Sequence, residues 1–206
     1  MQILLDLQYL PNTTYFSLIA KADKVYLEQH ENFVKQTYRN RANILTPNGI
    51  DSFSIPLIGS QKKIKINEIN IDHAQKWANR HWRAIKSAYG KAPFFEYYAD
   101  YIKQEIYAEH TTLFALNYKL LTLCLKFLQI KTPIEFTTSY QKSLEISTLD
   151  LRSSIHPKKP FNSSIKIEYT TYQQVFGSSF VPNLSILDLL FSEGPNAGTI
   201  IRSQIN

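Results

Sequence analysis

The amino-terminal part of the chain places a strand, a helix and a second strand in close succession, and this order limits the possible folds more than any other feature. Residues 3–7 form a compact apolar run, which indicates a buried strand by its brevity and its flanks. Pro11-Asn12-Thr13 then begins a short helix, and residues 24–28 alternate as a second strand. This order predicts an α/β fold with a mainly parallel, Rossmann-like sheet flanked by helices.

The middle of the chain departs from this order twice. An inserted antiparallel β-hairpin is predicted over 37–66, with strands at 39–45 and 52–58, a turn at Pro47-Asn48-Gly49, a loop at 59–63 and a short β run at 64–66. A central helical segment is predicted over 72–130, with helices at 72–89, 93–109 and 111–130.

The carboxyl-terminal third has weaker patterns. We predict strands at 134–137 and 164–169, a polar loop at 143–164, a last helix at 186–191 and a frayed end beyond Ala197. There is no internal repeat. The chain is therefore predicted to be a single domain over residues 1–206.

The composition is that of a globular protein with moderate positive charge. Of the 206 residues 44% are hydrophobic and 19% charged, and thirteen Tyr and twelve Phe can bury a large surface. The net charge of +6 attracts phosphates, nucleotide sugars, nucleic acid or acidic membranes, or serves only to keep the protein in solution. No run of Lys and Arg resembles a nucleic-acid tail, so nucleic acid is not the predicted partner.

Several familiar classes are excluded by motifs that the sequence lacks. There is no GxGxxG, GxxxxGK, CxxC, HExxH or GxSxG pattern, so no dinucleotide loop, P-loop, metal site or nucleophile elbow is predicted, and the cofactor is unknown. Cys124 is the only cysteine and forms no intramolecular disulfide. Without a leader or an apolar run long enough to span a bilayer, the sequence predicts a cytoplasmic protein with no transmembrane segment.

Polar side chains follow both predicted strands, at the edge where open α/β sheets bind ligands. Gln8 and Tyr9 follow the first strand, and His30 and Glu31 follow the second. A histidine beside a carboxylate can be a general base whose pKa the neighbour tunes. Adjacent strand residues point to opposite faces, so His30 and Glu31 act together only where the chain turns; the alternative is an exposed polar loop.

A basic cluster comes next in the sequence and offers an anion site. Arg39 and Arg41 share a face of an extended segment and can grip a phosphate, with Lys35 and Asn40 close by. Alternatively, these cations pair with carboxylates or are solvated. Asn12 begins a helix whose free N–H groups can bind phosphate or carboxylate, unless Asn12 only caps that helix.

Two further candidates lie on predicted helices. His81 shares an apolar helix face with Trp77 and Ile85, surroundings that lower the pKa of an imidazole and keep it neutral. It is either a core histidine or part of a pocket wall. Asp188 stands at capping-box spacing from Ser185, so it either caps the last helix or presents a carboxylate to the pocket.

A set of motifs occurs in order along nearly the whole chain: Gln8-Tyr9-Leu10-Pro11, Tyr15-Phe16-Ser17-Leu18-Ile19, Lys35-Gln36-Thr37-Tyr38-Arg39-Asn40-Arg41, Trp77 with His81-Trp82-Arg83, Tyr89-Gly90-Lys91-Ala92-Pro93-Phe94-Phe95, and Asn183-Leu184-Ser185-Ile186-Leu187-Asp188-Leu189-Leu190-Phe191. Together these motifs resemble the WbqC-like protein family. The resemblance implies an association with bacterial surface polysaccharide (O-antigen) gene clusters and a glycine-transferase activity.

Two functions are compatible with these residues, and the sequence does not choose between them. The first is a transferase that acts on a sugar or nucleotide-sugar precursor, with His30 or His81 as base beside Glu31, and with ligand contacts from Gln8, Tyr9, Asn12, Lys35, Arg39, Asn40, Arg41 and Asp188. The second is a non-catalytic module that binds a phosphorylated or nucleotide-bearing ligand. The oligomeric state is left open.

Overall fold

The chain folds into an α/β structure with two separate sheets, which confirms the predicted fold class. The computed structural model describes residues 1–59, 63–141, 148–161 and 163–205. The strands in these ranges are β1 (Gln2–Asp6), β2 (Lys24–Glu28), β3 (Arg41–Thr46), β4 (Gly49–Ser54), β5 (Ile134–Phe136) and β6 (Thr148–Asp150). One sheet is parallel with the order β5-β2-β1-β6, and β3 and β4 form a separate antiparallel hairpin.

Helices connect and cover these sheets. They are α1 (Thr13–Lys21), α2 (Trp77–Tyr89), α3 (Phe95–Tyr107), α4 (Leu113–Phe127), α5 (Ile186–Glu193) and α6 (Ala197–Ser203). Polar caps begin three of them: the side chain of Asn12 accepts from the Tyr15 amide, that of Thr112 from the Ala115 amide, and that of Ser185 from the Leu187 amide. Within the described ranges, no helix is both long and apolar enough to cross a membrane.

The strand order creates a topological switch point at β1. From β1 the chain moves to one side, through β2 to β5, and then returns to the other side of β1 to form β6. Ligands of open α/β proteins bind at the carboxyl ends of the strands beside such a point. The carboxyl ends of β1, β2 and β6 are therefore where the fold predicts a site.

The two faces of the parallel sheet differ in chemistry. Alternate residues of β1 and β2 enter the hydrophobic core: Ile3, Leu5, Val25 and Leu27. The intervening residues line a cavity on the opposite face: Gln2, Leu4, Tyr26 and Glu28. The sheet thus buries one apolar face and presents polar groups on the other.

Helix α2 anchors the hairpin to the core. Gly49 begins β4 with a φ of 102°, a conformation that favours glycine and allows the tight turn. The ring of Phe53 on β4 lies 4.5 Å from that of His81 on α2. The Leu45 amide on β3 donates to the Tyr89 hydroxyl at 3.2 Å. Both strands of the hairpin are therefore held by one helix.

Two strand predictions are wrong because the segments make too few ladder hydrogen bonds. At 64–66 the chain forms only an isolated bridge between Lys65 and Asn32. At 164–169 it forms no strand in the part of the chain that is described, although the Glu168 amide donates to the Gln204 carbonyl. The predicted loop at 59–63 lies partly outside the described residues.

Two other predictions fail because long-range contacts outweigh local signals. The predicted loop at 143–164, of which 143–147 and 162 are outside the described residues, contains β6, formed by pairing with β1. The end beyond Ala197 is not frayed, since α6 buries Ile200 and Ile201 in the core. In addition, the predicted helix at 72–89 begins as a 3-10 turn, and Lys76, with a φ of 47°, separates it from α2.

Gly198 allows α6 to pack closely against the end of α4. A Cβ at this position would overlap the carbonyl oxygen of Leu128, and this backbone atom can shift only if the end of α4 shifts with it.

Replacing glycine by alanine inside a helix normally stabilises the helix by roughly 1 kcal/mol. We expect Gly198→Ala instead to lower the free energy of unfolding by about 1–3 kcal/mol, measured by denaturant titration. Thr199→Ala, on the exposed side of α6, is the control and should change it by less than about 0.5 kcal/mol; a stabilised Gly198→Ala variant would contradict the packing.

Candidate active site

The last residues of β1 and β2 are buried carboxylates. Asp6 and Glu28 are register partners, so their side chains lie on the same face of the sheet. Their exposed fractions are 1% and 0%. Burying an ionised carboxylate is costly unless cations and hydrogen-bond donors replace its water. The carboxyl end of the sheet is therefore organised around charge.

Arg39 supplies the first cation. Its Nε and Nη2 donate to the two carboxylate oxygens of Glu31 at 2.7 and 2.8 Å, and its Nη1 lies 3.4 Å from Asp6 Oδ2. The Arg39 side chain is only 1% exposed. A planar guanidinium matches a carboxylate with two parallel hydrogen bonds. Arg39 is thus engaged by carboxylates of its own chain.

Residues from two loops complete what we call the Arg39 cluster: Asp6, Gln8, Glu31, Arg39 and Ser153. The Ser153 amide donates to Asp6 Oδ1 at 2.6 Å, and Arg39 Nη2 donates to Ser153 Oγ at 3.0 Å. Gln8 Nε2 donates to Asp6 Oδ2 at 3.2 Å. The cluster therefore joins β1, the segment after β2 and the segment after β6.

Arg152 forms a second cluster around Glu28. Its Nη1 donates to Glu28 Oε2 at 2.8 Å, and its Nη2 donates to Asp150 Oδ2 at 2.6 Å. The Thr137 hydroxyl donates to Glu28 Oε1 at 3.0 Å. The hydrogen bonds to Asp150 raise the pKa of Arg152, so this side chain stays charged. These four residues are the Arg152 cluster.

Carboxylates outnumber guanidinium groups in the two clusters. Two guanidinium groups face four carboxylates, which leaves a formal charge of −2: Arg39 and Arg152 against Asp6, Glu28, Glu31 and Asp150. Burial opposes the charge of Arg39, but the attraction of Asp6 and Glu31 outweighs it and raises the pKa of Arg39. Burial also raises the pKa of Glu31, although the hydrogen bonds and the charge of Arg39 act to lower it. Such surroundings favour a ligand group that is positive or donates hydrogen bonds.

A cavity of about 270 Å³ lies on the polar face of the sheet, beside the Arg152 cluster. Its walls carry carboxylate, amide and hydroxyl groups, from Glu28, Glu135, Gln2, Gln141, Tyr26, Thr137, Thr138, Ser139 and Thr148. Lys24 Nζ lies 2.8 Å from Glu135 Oε1 and neutralises that carboxylate. The mixture of acceptors, donors and the two aromatic rings of Tyr26 and Phe136 suits a small polar ligand with hydroxyl or amino groups.

His30 stands next to this cavity, half-buried. Its Nε2 donates to the Thr137 carbonyl at 3.0 Å, and its amide donates to Glu28 Oε1 at 2.8 Å. Donation from Nε2 leaves Nδ1 of the neutral ring as a lone-pair acceptor, and no residue in the described ranges bonds to Nδ1. The Glu31 carboxylate faces Arg39 instead of the His30 ring.

His81 is fully buried between α2 and the hairpin. The Ser54 carbonyl can only accept, so Nε2 donates to it at 3.2 Å, and Nδ1 of the neutral ring then accepts from the Tyr9 hydroxyl at 3.0 Å. Burial lowers the pKa of His81 from 6.5 to about 4. His81 is therefore neutral, and its ring orients Tyr9. The predicted neutral environment is confirmed, while the role of His81 as a base stays a prediction.

Asn12 caps α1, and the first amides of that helix are already satisfied. The Tyr15 amide donates to Asn12 Oδ1 at 3.1 Å, the Thr13 amide to the Leu184 carbonyl at 3.2 Å, and the Thr14 amide to Asn183 Oδ1 at 3.2 Å. An anion that bound here would have to displace these acceptors. The predicted cap is present, and the predicted anion site stays a prediction.

Asp188 is buried on α5 and holds a distant segment. Tyr172 Oη donates to its Oδ2 at 2.6 Å, and Gln174 Nε2 donates to the same oxygen at 2.8 Å. Burial raises the pKa of Asp188. The helix cap is supplied by Ser185, whose side chain accepts from the Leu187 amide. The Asp188 carboxylate therefore holds the side chains of Tyr172 and Gln174 and also interacts with Tyr89.

The predicted site residues thus occupy several places. Gln8, Glu31 and Arg39 meet in the Arg39 cluster, and His30 adjoins the Arg152 cluster. Tyr9 pairs with His81. Lys35, Asn40 and Arg41 line a separate groove of about 290 Å³. Their roles in binding or catalysis stay predictions.

Sequence reasoning missed the acidic partners and the second arginine. Asp6 and Glu28 had a usable signal, since each is a carboxylate that ends a strand whose central residues are mostly apolar. Asp150, Arg152 and Ser153 had none, because they lie in a polar segment without periodicity. Their importance depends on β6 pairing with β1, which is a long-range contact.

The fold and the site define an α/β protein with a polar cavity at the switch point of a parallel sheet. The chain belongs to the WbqC-like protein family, which matches residues 8–157 and 152–200. Uncharacterized protein Rv1507c of Mycobacterium tuberculosis is 31% identical over 220 residues, covering 94% of this chain and 94% of that protein. No solved structure matches the chain.

Replacing Arg39 tests whether the Arg39 cluster is a structural ion network. Arg39→Met leaves Asp6 and Glu31 buried without their cation, so we expect the free energy of unfolding to fall by about 3–5 kcal/mol. Denaturant titration measures the loss. Arg83→Met, at an exposed position of α2, removes the same charge and should cost less than about 0.5 kcal/mol. Equal losses in the two variants would rule out a special role for Arg39.

The depressed pKa of His81 predicts a pH dependence of stability. Below pH 6.5 the unfolded chain protonates this ring, whereas the folded chain does so only near pH 4. The contribution of His81 to the free energy of unfolding is therefore fully present above pH 6.5. It is lost as the pH falls towards 4, and the total loss is about 3 kcal/mol.

His81→Gln keeps a donor and an acceptor but does not titrate. We expect its free energy of unfolding, measured between pH 7 and pH 4.5, to fall less steeply than that of the wild type. His73→Gln changes an exposed histidine and is expected to retain the wild-type slope. Parallel curves for wild type and His81→Gln would show that His81 is not the titrating group.

Proposed function

We propose that the chain is a transferase that acts on a sugar or nucleotide-sugar precursor in bacterial surface polysaccharide biosynthesis. Its reaction passes an aminoacyl group, such as glycyl, to the amine of an amino sugar. The carboxylate- and hydroxyl-lined cavity at the switch point is the observation that carries this proposal. Membership of the WbqC-like protein family agrees with it through the O-antigen association that the motifs imply.

The surplus negative charge supports an amine-bearing acceptor. With four carboxylates and two guanidinium groups nearby, a protonated amino sugar is attracted to the cavity. Side-chain hydroxyls and amides then bond to the sugar hydroxyls, and Tyr26 offers a ring to the sugar face. A phosphate group, by contrast, is repelled from this side of the sheet.

His30 is the base in this proposal. The Nδ1 lone pair of His30 first takes a proton from the bound ammonium group, which frees the nitrogen lone pair. The neutral amine then attacks the carbonyl carbon of an activated aminoacyl donor; the C–N bond forms, the bond to the leaving group breaks, and the leaving group departs with the second proton of the nitrogen. His81 has both ring nitrogens engaged by Tyr9 and Ser54, and its part is to orient Tyr9.

A His30→Gln substitution tests this assignment. Glutamine can still donate to the Thr137 carbonyl but offers no base, so we expect kcat to fall by about 100-fold or more while amino-sugar affinity is retained. Turnover with aminoacyl donors and calorimetric titration with amino sugars measure the two quantities. The matched control His73→Gln should be fully active; unchanged kcat in His30→Gln would remove His30 from the mechanism.

The alternative is a non-catalytic module that binds a phosphorylated or nucleotide-bearing ligand. The groove that contains Lys35, Asn40 and Arg41 supports it, because binding there needs no acid or base. Thermal stabilisation by nucleotide sugars without turnover of any aminoacyl donor favours the binding module. Turnover that depends on His30 favours the transferase.

A further inference from the structure

We propose that the groove beside Arg41 binds the phosphate or diphosphate group of the ligand, and that Arg39 does not. The groove, of about 290 Å³, lies between the segment after β2 and the residues that follow β4. The inference deepens the proposed function by locating the anionic part of its substrate. Its test uses binding alone and does not require group transfer.

Arg41 is the cation of this groove with an unused donor, and Lys35 is a second cation in its lining. No ion pair or hydrogen bond engages its side chain in the described ranges, and its buried Nε–H has no acceptor there. Burying a donor without a partner is unfavourable, so such groups normally meet water or a ligand. A guanidinium with an unused N–H is suited to a phosphate oxygen.

Asn40 adds a second incompletely bonded side chain to the same groove. Its Nδ2 donates to the Ile55 carbonyl at 2.8 Å, which fixes the amide plane. Its Oδ1 is buried and has no hydrogen-bond donor among the described residues. An acceptor beside a cation suits the hydroxyl group of a phosphate ester or of the attached sugar.

Gln36 connects the groove to Lys158, and its own backbone is in a strained conformation. Its φ is 58°, in the left-handed region that non-glycine residues rarely adopt. Lys158 Nζ donates to its Oε1 at 2.6 Å, which brings a lysine from the segment after β6 to the rim. Strain that is retained by surrounding contacts is common in ligand-binding segments.

The carboxylates next to the groove bond to groups other than Arg41 in the described part of the chain. Glu31 faces Arg39, as described above. Asp72, whose amide donates to the Pro56 carbonyl, uses its carboxylate on the Ala74 amide and the side chain of Gln75. The described lining of the groove contains Lys35 and Arg41 and no carboxylate, so the groove has a positive character, while the cavity on the polar face of the sheet is negative.

Calorimetric titration with inorganic pyrophosphate, uridine diphosphate and a sugar 1-phosphate tests the site. For wild-type protein we expect saturable binding of at least one of these probes. In Arg41→Gln we expect the Kd to rise at least about tenfold, since a charge-assisted hydrogen bond is lost. Preference for uridine diphosphate over pyrophosphate identifies a nucleotide ligand, and preference for the sugar 1-phosphate identifies a phosphorylated sugar.

Arg83→Gln, which removes an exposed charge from α2, is the matched control and should bind as the wild type does. Arg41→Lys keeps the charge without the Nε–H, and we expect its affinity to lie between those of wild type and Arg41→Gln. Absence of binding by the wild type, or equal weakening by Arg83→Gln, would overturn the inference. Loss of turnover in His30→Gln with unchanged pyrophosphate binding separates the transferase proposal from this one.

Discussion

The buried guanidinium of Arg39, shared by Glu31 and Asp6, is the interaction on which this end of the molecule depends. A cation and two anions at 1–8% exposure are tolerated only because hydrogen bonds replace the water that each of them loses. The contacts come from β1, from the segment after β2 and, through Ser153, from the segment after β6. These three parts of the chain can therefore take their positions only together.

That arrangement separates ionic groups that hold the fold from ionic groups that are available to a ligand. Arg39 was an attractive phosphate ligand in the sequence because it lies two residues from Arg41 on an extended segment. In the structure its carboxylate partners come from its own chain, whereas Arg41, at the start of β3, has an unused donor in the described ranges. Burial and pairing, which a linear spacing does not contain, distinguish the two arginines.

The elements that local pattern determines were predictable from the sequence. The strand at 24–28 has the predicted bounds, and α1 begins after its Asn12 cap, because alternation and capping act over a few residues. Strand β6 has three residues and exists through its pairing with β1, so no local pattern reveals it. The same limit applies to the site: the carboxylates that hold Arg39 are 8 and 33 residues away in sequence.

The proposed substrate follows from the opposite charge of two neighbouring regions. The stretch from the end of β2 to the first residue of β3 contributes His30 beside the negative cavity and Arg41 in the positive groove, so one stretch of chain contains both kinds of site. A substrate with an amine at one end and a phosphate at the other matches this polarity, whereas a substrate of single charge is attracted by one region and repelled by the other. An amino sugar attached to a phosphate has that distribution of charge. The Arg39 cluster, by fixing the two ends of the segment through Glu31 and Arg39, holds the spacing between the two regions constant.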